Sequence, residues 1–360
     1  MKSGLEDVVA AETRLSDVDG AHGRLIIRGH SLDDLVGHST YEDVIALLFD
    51  GYFASEADLP RALGKARSEV FAHLAVVDAS LLALPPVDAM RALLARLPDG
   101  EDLPSALRLI AGPAVFTAGL IRLRQGLDVI APDASMSHAA DTLRMTHGTV
   151  PSPEQTAALD RYLMTVSDHG LNASTFASRV VASTQAGLTS SVLAALSALK
   201  GPLHGGAPGP VLDALDGVGS PDNASAWLEA ALARGDRLMG FGHRVYRVRD
   251  PRADALKTAV RLLANGGAID PARLALAEAV EAAALDLLKR KKPDRALDTN
   301  VEFYTALLLE ALGFPRETFT CVFAMGRTSG WLAHAREQAL TGRLIRPMSV
   351  YVGPSVAVAA

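Results

Sequence analysis

Apolar residues recur three and four positions apart along most of this chain, which is the spacing of one face of an α-helix. The pattern is clearest from Tyr41 to Phe49 and from Met90 to Leu97. Leu188 to Leu199 is apolar almost all round, and it and the stretch from Thr175 to Ala186 are rich in small residues. We predict two helices that pack closely there, either at a subunit interface or in an ordinary intrachain core.

Strand signals are scarce and lie near the two ends of the chain. Arg24 to Ile27 and Ser349 to Val352 are short β-prone runs. The most apolar stretch, Leu109 to Ile121, has about thirteen residues between Arg108 and Arg122, which is too short to span a bilayer. The pattern therefore predicts a nearly all-helical protein in which that stretch is a buried helix.

Composition and charge are typical of a globular protein with a sizeable core. The 360 residues are 49% hydrophobic and 21% charged, and the formal net charge is −6. This length suits two domains, or one large domain with an insertion. An acidic chain without basic and aromatic runs is not attracted to nucleic acid or to an anionic membrane, so neither is expected as a partner.

Cysteine and histidine spacing argues against disulfides and against the common metal sites. Cys321 is the single cysteine, and its apolar neighbours Val322 and Phe323 favour a position in the core. CxxC pairs and HExxH are absent, so no recognisable metal site is expected. The N-terminus lacks the long apolar run of a signal peptide. We expect a cytoplasmic protein.

The first candidate site residue is His204, within GPLHGGAPGPVLDAL from Gly201 to Leu215. Pro202 and Gly205 keep this stretch out of a helix interior and leave backbone that a ligand can approach. A histidine near the positive end of the next helix tends to stay neutral, and it could donate a hydrogen bond to a developing enolate oxygen. The same residues also fit a turn that merely contains a histidine.

His243 lies in a second such turn, within MGFGHRVYRVRDPRADALK from Met239 to Lys257. Gly240 and Gly242 open the backbone before it, and a following Asp-Pro interrupts any helical period. Arginines on an irregular loop beside a histidine indicate carboxylate or phosphate recognition, because the guanidinium binds these groups through two parallel hydrogen bonds. A solvated surface is the alternative. The arginines are Arg244, Arg247, Arg249 and Arg252.

Both strings, together with three others, resemble motifs of the citrate synthase family. The others are SDHGLNASTFASRVVAST from Ser167 to Thr184, NVEFYTALLLEALGFP from Asn300 to Pro315, and a C-terminal pair. That pair is FAMGRTSGWLAHAREQ from Phe323 to Gln338 and RPMSVYVGP from Arg346 to Pro354. A weaker resemblance lies in DGAHGRLIIRGHSLDDL, from Asp19 to Leu35. The order and spacing hold over nearly the whole chain.

The resemblance implies a mainly α, citrate-synthase-like fold of two helical domains, with minor β structure at the N- and C-terminal segments. Residues 1–209 and 314–360 would form a large domain for dimerisation and for the oxaloacetate side of the site. Residues 210–313 would form a small domain on the CoA side.

The resemblance also implies the chemistry. This family joins an acyl-CoA thioester to oxaloacetate and then hydrolyses the product thioester. The carbon next to a thioester is a weak acid, so deprotonation needs a base together with a hydrogen bond to the thioester oxygen. By resemblance, His204 would donate that hydrogen bond and Glu302 would be the base. His243 would polarise the ketone of oxaloacetate and protonate the new alkoxide.

Glu302 departs from the family pattern NVDFY, in which an aspartate is the base. The extra methylene lies where the geometry is tightest, and a displacement of about 1 Å can lower the rate roughly a hundredfold. Either the backbone has shifted, or the enzyme is slow, or it uses another acyl group. The structural alternative is an acid in the first turn of a helix, stabilised by the helix dipole.

The resemblance assigns the oxaloacetate carboxylates to three arginines and a histidine. Arg252, Arg327 and Arg346 stand at the family's substrate-arginine positions, and His169 matches its substrate-binding histidine. Gly170 replaces the glutamate that usually follows this histidine. In the family the last arginine reaches into the neighbouring subunit's site, which implies a homodimer with Arg346 shared across the interface.

Acyl-CoA is expected as a co-substrate, and no permanently bound cofactor is expected. Asp298 and Thr299 replace the Tyr-Pro that often precedes Asn-Val in the family. An aspartate near a phosphate would be unfavourable unless it points away. The residues expected to contact CoA are Met239, Gly240, Phe241, Gly242, Arg247, Lys257, Arg295 and Asn300.

The leading hypothesis is a citrate synthase, an acyltransferase that forms citrate and CoA from acetyl-CoA and oxaloacetate. A 2-methylcitrate synthase that uses propionyl-CoA would share every motif. The departures at Glu302, Gly170 and Asp298 favour a third hypothesis, a catalytically impaired binding or regulatory protein that keeps the fold. A fourth is a metal hydrolase built on the three motif histidines.

Overall fold

The computed structural model describes residues 4, 5, 8–205, 208–243, 245, 246, 248–293, 295 and 297–354, and this part of the chain is largely helical. The helices are α1 (Leu32–Leu35), α2 (Tyr41–Phe49), α3 (Leu59–Phe71), α4 (Ala79–Leu82), α5 (Pro86–Leu94), α6 (Leu103–Arg124), α7 (His138–His147), α8 (Pro153–Thr165), α9 (Ala173–Ala182), α10 (Leu188–Leu199), α11 (Pro208–Val218), α12 (Ala224–Ala233), α13 (Pro251–Asn265), α14 (Pro271–Lys291), α15 (Val301–Ala311) and α16 (Phe319–Thr341). Short 3-10 helices cover Ala72–Val76, Pro221–Asn223 and Arg316–Thr318.

Helix boundaries follow capping residues more closely than apolar spacing. The predicted ranges of α2 and α10 are confirmed. The predicted start of α5 at Met90 is wrong by four residues, because Pro86 occupies the first helical position, where proline is favoured. Asn172 caps α9 by accepting hydrogen bonds from the Ser174 and Thr175 N–H groups, so that helix begins earlier than predicted.

The helix α6 is the central helix of the core, and its 22 residues exceed the thirteen that the apolar run predicted. Asp102 caps it and Pro104 lies in its first turn, which extends the helix at its N-terminal end. By length and composition α6 could cross a membrane, but 83% of its most apolar window is buried inside the protein. It packs against α3, α5, α7 and α16, as the predicted buried helix would.

The predicted N-terminal β structure is confirmed, and the predicted C-terminal strand is not found. Three short antiparallel strands run in the order β1 (Ser16–Asp19), β2 (Arg24–Ile27) and β3 (His30–Ser31). Residues 349–352 form no strand, and Val352 is 92% exposed. A strand needs a neighbouring backbone for its hydrogen bonds, and within the described residues no other segment pairs with residues 349–352.

The helices that surround the site come from two parts of the chain. The small-residue helices α9 and α10 pack against each other and against α16. The helices from α11 to α15 pack largely with one another, while α13 also lies against α8. The predicted boundary after residue 209 falls inside α11. The division into two domains stays a prediction.

Candidate active site

The turn that follows α12 fixes the position of the proton on His243. The backbone N–H groups of Val245 and Tyr246 both donate to His243 Nδ1, at 3.0 and 3.1 Å. A neutral imidazole carries a single N–H, so its proton lies on Nε2. Burial, and then the charge of Arg252, lowers the pKa of His243 to about 4. At neutral pH this side chain is therefore a hydrogen-bond donor through Nε2.

Arg252, in the first turn of α13, lies beside that donor. Its Nη2 atom is 3.3 Å from His243 Nε2. Both atoms are donors, so an acceptor oxygen placed between them would satisfy both. Asp250 holds the guanidinium through Nε–Oδ1 and Nη2–Oδ2 distances of 3.0 and 2.7 Å. It also accepts a hydrogen bond from Val301 N–H at 3.3 Å, which ties Arg252 to the start of α15.

Arg327, on α16, brings a second buried cation. It is 2% exposed, and its Nε atom donates to the carbonyl oxygen of Val166. Among the residues that the structure describes, its guanidinium takes part in no ion pair, and the neighbouring Asp168 is instead paired with His334. Burial lowers the pKa of Arg327 to about 10. A buried cation without a carboxylate partner is costly, and an anionic ligand would offset that cost.

His169 completes this group from the segment between α8 and α9. Its Nε2 atom lies 3.2 Å from the Tyr246 hydroxyl, and its ring centroid is 5.5 Å from that of His243. Burial, followed by the charges of the two arginines, holds its pKa well below the usual value. The next residue, Gly170, has a φ of +60°, which glycine adopts without the strain of a side chain. The departure at this position therefore fits the local backbone.

Glu302 lies in the first turn of α15. Its N–H donates to the side chain of the capping residue Asn300 at 3.0 Å. Burial raises the pKa of Glu302 to about 7, although the positive charges of Arg252 and Arg237 oppose the shift. A carboxyl group with this pKa is poised to accept a proton near neutral pH. The predicted position in the first turn of a helix is confirmed, while the role of base stays a prediction.

His204 lies in the turn after α10, and its ring is held by α9. Its Nε2 atom is 2.9 Å from Ser174 Oγ, which also accepts a hydrogen bond from Trp331 Nε1 at 3.1 Å. The Ser174 hydroxyl is 2.8 Å from Asn172 Oδ1. His204 is also among the groups that lower the pKa of His169, so the two rings are close enough to interact. The chain thus brings this histidine to the same region as the other two.

The chain matches the family model described as "Citrate synthase, C-terminal domain" over residues 4–348. It belongs to the citrate synthase family. The resemblance, the helical fold and the expected enzyme class, an acyltransferase of the citrate synthase type, are thereby confirmed.

Named relatives of this citrate synthase family member cover nearly its whole length. "Putative citrate synthase 2" of Mycobacterium tuberculosis is 38% identical over 362 residues, which is 98% of this chain and 92% of the relative. The "2-methylcitrate synthase" of the same species is 37% identical over 370 residues, with coverage of 98% and 91%. The crystal structure of citrate synthase from Thermotoga maritima has a TM-score of 0.85 at 33% identity, and covers 100% of this chain and 98% of that one.

The glycine loop expected to contact CoA pairs with the segment that precedes Glu302. Gly242 N–H donates to Asp298 O at 2.7 Å, and Asn300 N–H donates to Gly240 O at 3.0 Å. We call this antiparallel contact of residues 240–242 with residues 298–300 the β-bridge. Asn300 Nδ2 adds a hydrogen bond to Gly242 O at 2.8 Å.

Packing explains the glycines of this loop better than ligand approach does. Gly240 and Gly242 have φ values of +87° and +81°. A Cβ atom on Gly240 would lie 3.0 Å from Phe303, and one on Gly242 would lie 2.8 Å from Leu297. The Phe241 side chain is buried, with its ring centroid 5.3 Å from that of Phe303. Met239, which precedes these residues, is half-buried.

The cations expected to bind the CoA phosphates differ in availability. Lys257 Nζ lies 2.7 Å from Glu281 Oε2 and is committed to that ion pair. Arg295 is exposed. Arg247 lies outside the described residues. Asp298 is 3.5 Å from Arg249, so its carboxylate has a cation beside it.

Arg346 stands apart from the other oxaloacetate residues. It is exposed on the extended segment after α16. No hydrogen bond or ion pair within the described part of the chain joins it to the buried arginines or to the motif histidines. Among the described residues, no group of three or more His, Cys, Asp or Glu side chains is arranged to hold a metal ion.

Three residues that the structure places at the site were missed by sequence reasoning. Asp250 orients Arg252, and its position just before Pro251 is that of a helix-capping acid, which is a readable signal. Ser174 holds His204, and Tyr246 contacts His169. Both lie inside matched motifs, but their partners are distant in sequence, so nothing local indicated these contacts.

Proposed function

We propose that this protein condenses acetyl-CoA with oxaloacetate and hydrolyses the product thioester, releasing citrate and CoA. The observation that carries the proposal is the pair of buried arginines, Arg252 and Arg327, beside the neutral donor His243. Oxaloacetate is a small dianion with a ketone next to one carboxylate. Guanidinium groups suit its carboxylates, and the Nε2 proton of His243 suits its ketone oxygen.

The condensation then needs one base and two hydrogen-bond donors. Glu302 takes a proton from the acyl carbon while His204 donates a hydrogen bond to the thioester oxygen, so an enolate forms. The enolate carbon bonds to the ketone carbon, and the ketone oxygen takes the proton of His243 Nε2 as negative charge develops on it. Solvent then returns a proton to His243 and takes the proton held by Glu302, so both side chains regain their starting forms. Water adds through its oxygen to the thioester carbon, the carbon–sulfur bond breaks, and the CoA sulfur leaves with one of the water protons. A raised pKa of about 7 at Glu302 suits this first step.

Sequence identity does not decide between acetyl-CoA and propionyl-CoA, because the relatives with the two names are 38% and 37% identical to this chain. Glu302 is one methylene longer than the aspartate usual in the family. A longer base leaves less room for the extra methyl group of propionyl-CoA, which favours acetyl-CoA. A 2-methylcitrate synthase remains the second candidate on the strength of the 37% identical relative.

One assay tests both candidates. Free CoA should be released only when oxaloacetate is present together with an acyl-CoA, and kcat/KM should be higher for acetyl-CoA than for propionyl-CoA. A reversed ratio would make the protein a 2-methylcitrate synthase. Oxaloacetate binding without CoA release from either thioester would contradict the proposal and favour a binding protein.

We further infer that the active form is a homodimer in which Arg346 enters the partner's site. The exposed position of this residue on an extended segment supports the inference. A third cation for a dianionic substrate would then come from the second copy. Sedimentation showing a monomer with full activity would contradict it.

A further inference from the structure

The β-bridge lies next to both side chains that exchange protons in the proposed condensation, His243 with the ketone oxygen of oxaloacetate and Glu302 with the acyl carbon. His243 directly follows its first segment, and Glu302 lies two residues beyond its second. Any shift of one segment against the other changes the distance between the donor and the base. The β-bridge therefore sets the separation of the two side chains, in addition to joining two segments of backbone.

A buried carboxylate on α14, that of Glu281, holds the second segment of the β-bridge. Glu281 is 5% exposed. Its Oε1 atom accepts a hydrogen bond from Thr299 Oγ1 at 2.8 Å, and its Oε2 atom accepts from Tyr304 and Lys257 at 2.6 and 2.7 Å. One side chain thus joins the second segment of the β-bridge to α13, α14 and α15.

The surroundings keep Glu281 ionised in spite of its burial. Burial by itself favours the protonated acid, but the hydrogen bonds from Lys257, Tyr304 and Thr299 hold its pKa below the usual value. Arg249 adds a positive charge at 3.4 Å. A charged acceptor forms stronger hydrogen bonds than a neutral one, so the bond to the Thr299 hydroxyl is a firm link.

We propose that Glu281 is a positioning residue, which acts through the Thr299 hydroxyl to hold the β-bridge and thereby set the separation of His243 and Glu302. The role rests on the proposed function. The family often has Tyr-Pro where this chain has Asp298 and Thr299, and proline has no hydroxyl to donate. The polar pair supplies a link to α14 that a proline could not make.

The effect of losing this link should appear in the chemical step. A displacement of about 1 Å costs roughly a hundredfold in rate, and one lost anchor should allow a smaller shift, so we expect about a tenfold loss. Oxaloacetate contacts Arg252 and Arg327, which Thr299 does not touch. The loss should therefore fall on kcat and leave the KM for oxaloacetate within about twofold.

The test compares Thr299→Val, which removes the hydroxyl at nearly constant volume, with Thr299→Ser, which keeps it. We expect kcat to fall about tenfold in the first variant and to stay near wild type in the second. Amide hydrogen exchange gives a readout that does not depend on turnover. Thr299→Val should speed exchange at the Gly242 and Asn300 amides, which donate the two backbone bonds of the β-bridge.

A matched control removes a carboxylate that joins the same helices without reaching Thr299. Glu310 on α15 pairs with Arg273 on α14, at 2.8 Å. Glu310→Gln should lower thermal stability but leave kcat and the exchange of both amides unchanged. Adding Thr299→Val to Glu281→Gln should lower kcat no further than Glu281→Gln alone, because both changes break one link. If Glu281→Gln does not fold, the Thr299 variants alone decide.

Two results would overturn the proposal. One is a Thr299→Val protein with lowered stability but normal kcat and normal exchange at both amides, which would make the link merely structural. The other is an equal loss in Thr299→Ser, which would show that the hydroxyl is not the link. If wild type itself gave no turnover, the proposed function would fall, and amide exchange would still show whether Thr299 holds the β-bridge.

Discussion

At the scale of single residues, Glu302 shows how local structure and burial prepare a carboxyl group for the proposed role of base. Its backbone is fixed by the Asn300 cap and by the contact of Val301 with Asp250. Its carboxyl group is largely withdrawn from water, which favours the protonated acid and raises the pKa to about 7. The neighbouring arginine charges limit the rise, so the group remains able to ionise at neutral pH.

Condensation should therefore depend on one ionisation near pH 7. Only the carboxylate form of Glu302 removes a proton, so kcat should increase with pH up to about 7 and level off above it. His243, with a pKa of about 4, stays neutral over this range and should add no second limb. A kcat profile from about pH 5 to pH 9 measures this. Glu302→Gln should lose the step and roughly a hundredfold or more in kcat, and a flat wild-type profile would contradict the assignment.

Shortening Glu302 to aspartate shows whether the backbone geometry of the site suits a glutamate or an aspartate base. Glu302→Asp should lower kcat roughly a hundredfold, because the fixed start of α15 cannot follow the shorter side chain by the missing length of about 1 Å. The KM for oxaloacetate should stay the same, since the arginines are untouched. Equal or higher turnover in Glu302→Asp would mean that the backbone keeps the geometry suited to aspartate.

Arg327 and Arg179 are both buried, but only Arg179 has a carboxylate partner, Glu337, at 2.6 Å. Arg327→Met should cost the unliganded protein much less stability than Arg179→Met, because Arg327 has no carboxylate within ion-pair distance and is attracted only at longer range by Asp168. It should also abolish the rise in Tm that oxaloacetate produces. Arg179→Met should cost about 3–5 kcal/mol by leaving a buried charge unpaired. Thermal denaturation with and without oxaloacetate checks both, and a large loss in unliganded Arg327→Met would contradict the role.

At the scale of elements, alanine substitutions at two glycines distinguish the effect of backbone strain from the effect of packing. Gly240 and Gly235 share a φ of +87°, but a Cβ atom would lie 3.0 Å from Phe303 at Gly240 and would meet nothing within 4 Å at Gly235. Both alanine variants should lose roughly 1–2 kcal/mol of stability from the left-handed backbone. Only Gly240→Ala should also lose turnover, because it displaces the β-bridge. Denaturant unfolding and kcat measure the difference, and equal turnover in both would place the loop outside the machinery.

The sequence predicted elements where local chemistry decides them. The α2 helix was predicted correctly because apolar spacing and the Thr40 cap agree. Spacing alone misplaced α5, whose start depends on Pro86, and shortened α6, whose polar ends extend beyond the apolar run. The motifs indicated the candidate histidines, Glu302 and the two buried arginines, but the contact between Glu281 and Thr299 joins residues 18 positions apart and left no local signal.

At the scale of the whole molecule, the C-terminal tail, residues 342–354, is almost entirely exposed in a single chain. Apolar side chains there face outward, with Met348 98% exposed and Val352 92% exposed. A strand was predicted for this tail from its β-prone residues, but strand formation depends on a partner backbone. In the proposed homodimer, a second copy of the chain would cover this apolar segment and, in the same arrangement, receive Arg346.

Mixed dimers decide whether Arg346 serves its own site or that of the partner. Arg346→Ala and Glu302→Gln should each be inactive as homodimers. In a mixed dimer with a shared arginine, one site keeps both an intact Glu302 and an intact Arg346, and the other site loses both. Random mixing makes half of the dimers mixed, so co-expression should restore about a quarter of wild-type kcat. If Arg346 acted within its own chain, every site in the mixture would lack one residue and no activity would return.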